Sequence, residues 1–187
     1  LIDELANMVE YPYLYLGTFP EKYLELPDEV LKYVIQDTQK YCLVYKDGKI
    51  INYFIGVSNV KINNNIIIGN QRVINPRLDD ASFFISKDLA SDLFSKREFL
   101  KRLIFHKKLG SVFDKVERIK KLSFHINKKS YSDNHLKFRE IADICKLDLI
   151  SNMVVEIPKL QGHIGSYYAS ELGLNDTVAE GIREHYA

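Results

Sequence analysis

The dipeptide Asp47-Gly48 places the tightest local constraint on this fold. It sits in "KDGK", between "YCLVY" and "IINYFIGVSNV", two runs rich in β-branched and aromatic residues. Asp and Gly both accept the positive φ values of a type I′ turn, so the spacing predicts a β-hairpin around 47–48. Upstream, "MVEYPYLYLGTFP" reads as extended chain. A helix is expected next, with Asp28 as its N-cap and Val30, Leu31, Val34 and Ile35 as its apolar stripe. "INNNIIIGN" reads as a polar turn around a brief apolar run. From Asn70, the spacing of Val73, Ile74, Leu78, Ala81 and Phe84 predicts a helix. Pro76 marks either its start or a kink, because proline lacks an N–H and clashes with the preceding turn.

From about Ser91 the pattern is helical, with helices expected near 91–109, 111–126, 134–156, 163–172 and 175–187. Gly110 and Gly173 fall where C-terminal caps belong, and Asn175 or Asp176 is placed to cap the last helix. The expected fold class is therefore α+β: a mixed α/β part over 1–90 carrying the hairpin, then an all-α part over 91–187. The chain has 187 residues, enough to bury a core, and no internal repeat or low-complexity linker divides it.

Composition excludes some classes. With 46% hydrophobic and 27% charged residues, the chain reads as globular rather than disordered. No apolar run approaches the roughly 18 residues that would suggest a membrane span. Cys42 and Cys145 lie far apart without ligand spacing, which reads as two reduced thiols in a cytoplasmic protein. The first residue is Leu rather than Met, so an internal piece of a longer protein is expected. Charge is unevenly distributed: residues 91–140 hold 14 Lys or Arg against 6 Asp or Glu, whereas residues 1–40 hold 3 against 8. Such an asymmetry points to an anionic partner for the basic part.

Motifs for chemistry are sparse. There is no GxxxxGK[ST] and no GxGxxG after a strand, so no phosphate cradle is recognisable. "GHIGS" at 162–166 has the look of a synthetase HIGH element, but it lies in a helical region, where small residues let a helix start against its neighbours. The five histidines (106, 125, 135, 163 and 185) form no HExxH. An all-α region with spaced His and Asp resembles the HD phosphohydrolase superfamily, whose metal site needs an adjacent His-Asp pair. The corresponding place here, in "CKLDLI", reads Leu147-Asp148. Leucine has no lone pair to give a metal, so no metal site is expected, and Asp148 reads as a structural acid. No GxSxG or activated cysteine is present, so no catalytic residue is assigned. What remains is a run of basic residues at helical spacing (Lys96, Arg97, Lys101, Arg102, Lys107, Lys108, Lys115, Arg118, Lys120, Lys121). Beside it run Phe99, Leu103, Phe113, Val116 and Ile119 as the expected core side. Asp114 and Glu117 are spaced to pair with Arg118 and Lys121.

Several stretches together resemble one family, the β subunit of the bacterial heterotetrameric glycyl-tRNA synthetase. They are "MVEYPYLYLGTFPEKYLELPDEVLKYVIQDTQKYCLVYKDGKIINYFIGVSN", "GNQRVINPRLDDASFFISKDL", "FHKKLGSVFDKVERI", "KLDLISNMVVEIPKLQGHIGSYYA" and "VAEGIREHY". The resemblance implies an internal fragment of a longer subunit, without the C-terminal anticodon-binding domain. It implies that the β subunit binds and positions tRNA(Gly). The α subunit, which carries the catalytic core, uses ATP with magnesium to attach glycine. Two α and two β subunits form the enzyme, and the helical part is a degenerate HD-like domain. Pro76 departs from the family, which reads there as uninterrupted helix, and Cys42 stands where the family has Phe. On this footing Arg102, Lys107, Lys108, Lys115 and Arg118 are the candidates for tRNA phosphate contacts, with Arg72 and Arg77 as further ones. Two other classes fit the same residues: a metal-dependent HD-type phosphohydrolase, and a non-catalytic interaction module.

Overall fold

The computed structural model describes residues 2–130 and 135–186, with the side chains of residues 2, 6, 128–130, 135 and 136 left aside. The chain divides into two compact units, Leu1–Phe83 and Phe84–Ala187.

In the first unit, α1 (Ile2–Ala6) precedes a three-stranded antiparallel sheet of β1 (Tyr13–Thr18), β2 (Cys42–Lys46) and β3 (Lys49–Ser58), ordered β1-β3-β2. The hairpin forms where Asp47-Gly48 predicts it: both residues are left-handed, with φ of 51° and 78°. The extended stretch is β1, which pairs with β3 from Tyr13↔Ser58 to Thr18↔Tyr53. Its alternation sends Tyr15 and Gly17 inward and Leu14 and Leu16 outward. Two cross-strand pairs each set a glycine against an aromatic ring, Gly17↔Phe54 and Tyr15↔Gly56. A Cβ on Gly17 would lie 2.2 Å from the Phe54 ring, and one on Gly56 would lie 2.2 Å from the Tyr15 ring. Phe54 is fully buried and stacks on Tyr41 at 4.8 Å, so it has nowhere to retreat. Gly17→Ala is therefore expected to cost about 2–3 kcal/mol by overpacking. Gly48→Ala, whose Cβ would meet open space, should cost only about 1 kcal/mol through its positive φ. Urea midpoints of the two variants check this ordering, and equal shifts would refute it.

Three expectations for this unit need correction. Asp28 is the first residue of α2 (Asp28–Leu31) and not its cap: the Pro27 carbonyl accepts the N–H groups of Val30 and Leu31. The helix then widens over Lys32–Asp37, where the Thr38 N–H reaches back five residues to Tyr33. The stripe Val30, Leu31, Val34, Ile35 is buried as expected. "INNNIIIGN" is no turn, because α3 runs over Asn64–Leu89, with the Asn63 side chain accepting the Ile66 N–H at 3.1 Å. Pro76 does not start it but lies inside it. Proline stands on the exposed side, where water can take up the Arg72 carbonyl that lacks its donor, while Ile74, Leu78 and Ala81 anchor the buried side. Asn70 Nδ2 donates to Tyr15 Oη at 2.5 Å, Gln71 donates to Thr18 at 2.9 Å, and Tyr23 Oη donates to Asp79 at 2.6 Å.

The second unit holds the end of α3, a 3₁₀ segment over Phe94–Arg102 interrupted at Lys96, and a small hairpin of β4 (Ile104–His106) and β5 (Gly110–Ser111). It continues through α4 (Val112–Ser130), α5 (His135–Ile144), a 3₁₀ turn over Leu147–Ile150, α6 (Asn152–Glu156), α7 (His163–Glu171) and α8 (Asp176–Glu184). The helix expected over 91–109 is thus a 3₁₀ segment plus a hairpin, and Gly110 (φ 84°) serves β5 rather than capping a helix. The helix expected over 134–156 breaks after α5, and Ser151 restarts the chain as the N-cap of α6, accepting the Val154 N–H at 3.1 Å. Residue 134 lies outside the described residues, as does the end of the helix expected to reach 187. Gly173 (φ 77°) does cap α7, with Leu174 N–H bonding Ala169 and Gly173 N–H bonding Ser170, and Asn175 caps α8. Cys145, Ala169, Val178, Ala179 and Ile182 form one apolar cluster, and Leu100, Val112, Val116 and Leu147 another. Among the described residues no helix is long and apolar enough to cross a membrane.

Candidate nucleic-acid interface

Part of the basic run of the second unit, Lys107, Lys108, Lys115 and Arg118, meets at the β4–β5 hairpin because the start of α4 packs against it. Ser111 and Asp114 cap the start of α4 reciprocally. Asp114 Oδ2 accepts the Ser111 N–H and hydroxyl at 2.7 Å each, and Ser111 Oγ accepts the Asp114 N–H at 3.2 Å. Those bonds from Ser111 hold the Asp114 carboxyl below the usual carboxylate range. Asp114 is thereby occupied, and Arg118 donates instead to the Leu109 carbonyl at 2.9 Å, fixing the hairpin turn. The Val112 N–H donates to Leu103 at 2.8 Å and ties the hairpin to the helix.

Lys107 and Lys108 form the exposed turn of the hairpin, with the Lys108 N–H donating to His106 Nδ1 at 3.2 Å. Lys115 stands 4.2 Å over the Phe105 ring, and Arg102 stands 4.5 Å over Phe99. Phe99 is therefore a platform for a cation and not a core residue; Leu100 takes the buried place. Rings under these cations orient them without neutralising them. Glu117 does not take the expected partner: Arg97 and Lys120 bind it, and both also bind Asp143, at 2.7 and 2.8 Å. Arg97 and Lys120 are thus structural, joining the 3₁₀ segment, α4 and α5. Lys107, Lys108, Lys115 and Arg118 thus meet at the hairpin, and Arg102, over Phe99, ends the 3₁₀ segment that leads into it. Arg72 and Arg77 belong to the first unit, where both are exposed on α3.

The Leu147-Asp148 position belongs to the packing. Leu147 is fully buried among Leu100, Val112 and Val116. Asp148 accepts the Gly162 N–H at 2.5 Å, where "GHIGS" begins α7 and Gly165 lies against the Asp148 side chain and Ile182. Among the described residues, no group of three His, Cys, Asp or Glu side chains converges. Burial pushes the Asp148 carboxyl up to about 6. It lowers His185 to about 4; His185 Nδ1–H donates to the Ile182 carbonyl at 2.5 Å. Burial also brings Lys146, which sits 3.4 Å from the Tyr186 ring centroid, down to about 8.

Asp148 and His185 oppose each other in pH dependence. Asp148 holds its proton more tightly folded than unfolded, so its stabilisation is present below about pH 4 and is lost as pH rises through about 6. His185 holds its proton less tightly folded, so its stabilisation is present above about pH 6.5 and is lost as pH falls toward 4. The Asp148 contribution spans about 3 kcal/mol, and that of His185 is smaller than its lowered value implies, because the ring is only partly buried and solvent screens it. Relative to the wild-type protein, Asp148→Asn should lose stability as pH falls from 6.5 to 4, and His185→Asn should gain it. Urea midpoints across that range decide, and parallel profiles would contradict the assignment.

Asp88 escaped the sequence reading. It is 2% exposed and accepts four hydrogen bonds, from Asn152 N–H (2.8 Å) and Nδ2 (2.6 Å), Met153 N–H (3.0 Å) and Tyr168 Oη (2.8 Å). A signal existed: it continues the buried stripe Ile74, Leu78, Ala81, Ile85 at steps of three and four.

The family model for the glycyl-tRNA synthetase beta subunit matches residues 1–187. The chain is similar to the glycine–tRNA ligase beta subunit of Rickettsia prowazekii (43% identical over 189 residues). It is likewise similar to those of Lactobacillus gasseri (41% over 191) and Aquifex aeolicus (41% over 186). Each match covers all of this chain and 28% of the relative, so the chain spans just over a quarter of their length.

Proposed function

The chain belongs to the glycyl-tRNA synthetase β-subunit family, and from that premise we propose that it helps the subunit hold tRNA(Gly) by its phosphates. The α subunit of the enzyme attaches glycine using ATP with magnesium. On this reading the chain contributes no catalytic residue. It works in the cytoplasm, within a heterotetramer of two α and two β subunits, and its helical unit is a degenerate HD-like domain.

The observation that carries the proposal is the hairpin surface, where Lys115 stands over an aromatic ring while Lys107 and Lys108 project at the turn, with Arg102 over Phe99 in the segment leading into it. Such a surface reads the shape and phosphates of an RNA stem more than its base edges. Leu147, packed in the core, offers a metal nothing, so the phosphohydrolase reading has no support at that position. A protein-docking role has one observation in its favour: Ile104 and Leu109 on the same hairpin are 80% and 51% exposed.

Filter retention of tRNA(Gly) across a salt series separates the two readings. With three to five phosphate contacts, log affinity should fall against log salt with a slope of about −2 to −4. Binding insensitive to salt, or none at low salt, would favour docking.

A further inference from the structure

We infer that the groove between α4 and α5 receives an unpaired nucleotide of the bound RNA, a site that rests on the phosphate-binding reading above and extends it. The groove encloses about 500 Å³, within the range of small-ligand pockets and enough for one nucleotide. Its walls carry two phenyl rings open to water, Phe124 at 64% and Phe138 at 43% exposure. Two cations share the walls, Lys121 on α4 and Arg139 on α5.

The groove's other charged residues are already committed. Glu117 binds Arg97 and Lys120, and Lys120 binds Asp143. Among the described residues Lys121 and Arg139 make no direct ion pair, and although the charge of Lys121 is felt by Glu117, that carboxylate is already bound by Arg97 and Lys120, so the groove offers aromatic faces together with an excess of positive charge. An apolar peptide would fit the rings and leave both cations without an ion-pair partner. A nucleotide satisfies both: its base stacks on a phenyl face, and its phosphate meets Lys121 or Arg139. The segment around the groove is also the basic part of the chain, with 14 Lys or Arg against 6 Asp or Glu over 91–140. Stacking of this kind tolerates any base, so the groove recognises an unpaired nucleotide rather than a sequence.

The test compares tRNA(Gly), which has unpaired nucleotides, with a blunt RNA duplex of matched charge. Binding of both is measured for the wild-type protein, Phe124→Ser, Phe138→Ser, Phe138→Tyr and Lys121→Ala/Arg139→Ala. The serine variants are expected to weaken tRNA binding by roughly five- to a hundredfold. They should leave duplex binding and its salt slope unchanged, and Phe138→Tyr should retain tRNA binding. The double variant is expected to weaken tRNA more than duplex. Equal losses for the two RNAs, or no loss with the serine variants, would overturn the groove assignment while leaving the phosphate surface standing. A wild-type protein that binds neither RNA would overturn the phosphate reading itself, and the groove with it. If the serine variants lose α-subunit binding but keep tRNA binding, the groove serves a protein partner and the inference is wrong.

Discussion

Replacing Asp88 with alanine is expected to lower the stability of the second unit by about 3–5 kcal/mol, the cost typical of stripping a buried polar network of its charged member. The four bonds that Asp88 accepts come from the first turn of α6 and from α7, so one carboxylate holds three helices together. Alanine leaves the Asn152 and Met153 N–H groups and the Tyr168 hydroxyl without acceptors, at about 1–3 kcal/mol each where they stay buried. Two milder variants sort the contributions. Asp88→Asn keeps one acceptor oxygen but turns an NH₂ toward donors, and should cost about half as much. Tyr168→Phe removes a single donor and should cost about 1 kcal/mol. Urea unfolding measures all three. An Asp88→Ala protein within about 1 kcal/mol of wild type would mean that the network does not hold α3, α6 and α7 together.

Reversing the hairpin charges should have the largest effect on binding. In Lys107→Glu/Lys108→Glu, the two proposed phosphate contacts would become two repulsions, and the salt slope should flatten by roughly 2. At about 50 mM salt tRNA(Gly) binding should fall at least tenfold, and the difference from wild type should narrow as salt rises. Both side chains are exposed at a turn and hold no other element in place, so the fold should tolerate the change. Arg72→Glu/Arg77→Glu makes the same change of net charge on the first unit. If binding depended on net charge alone, the two double variants would lose the same affinity. A loss concentrated in the 107/108 pair assigns the contacts to the hairpin.

Legibility in the sequence follows how local each determinant is. The β2–β3 hairpin is set by two adjacent residues at positive φ, and the start of α8 by Asn175 and Gly173, so both could be read directly. The segment 91–111 misled, because Phe99 and Leu103 at helical spacing imitate an amphipathic stripe. Phe99 in fact supports Arg102, and the β4–β5 hairpin is only three residues against two, too short to show alternation. The start of α6 has a local cap in Ser151, but its first two N–H groups are taken by Asp88, some sixty residues away on another helix. No window of sequence contains both partners. Of the candidate site, the composition of the basic run was legible. The division of labour within it was not: Arg97 and Lys120 are tied down by Asp143, and Arg118 by the Leu109 carbonyl.

The most direct test of the hairpin as an RNA surface is photo-crosslinking from residues 107 and 108, with residues 72 and 77 as the comparison. A photoreactive side chain at each position in turn, mixed with tRNA(Gly), should yield crosslinks from 107 and 108 that disappear as salt is raised. Crosslinks from 72 or 77 alone, or none from the hairpin under conditions where tRNA is bound, would contradict the account.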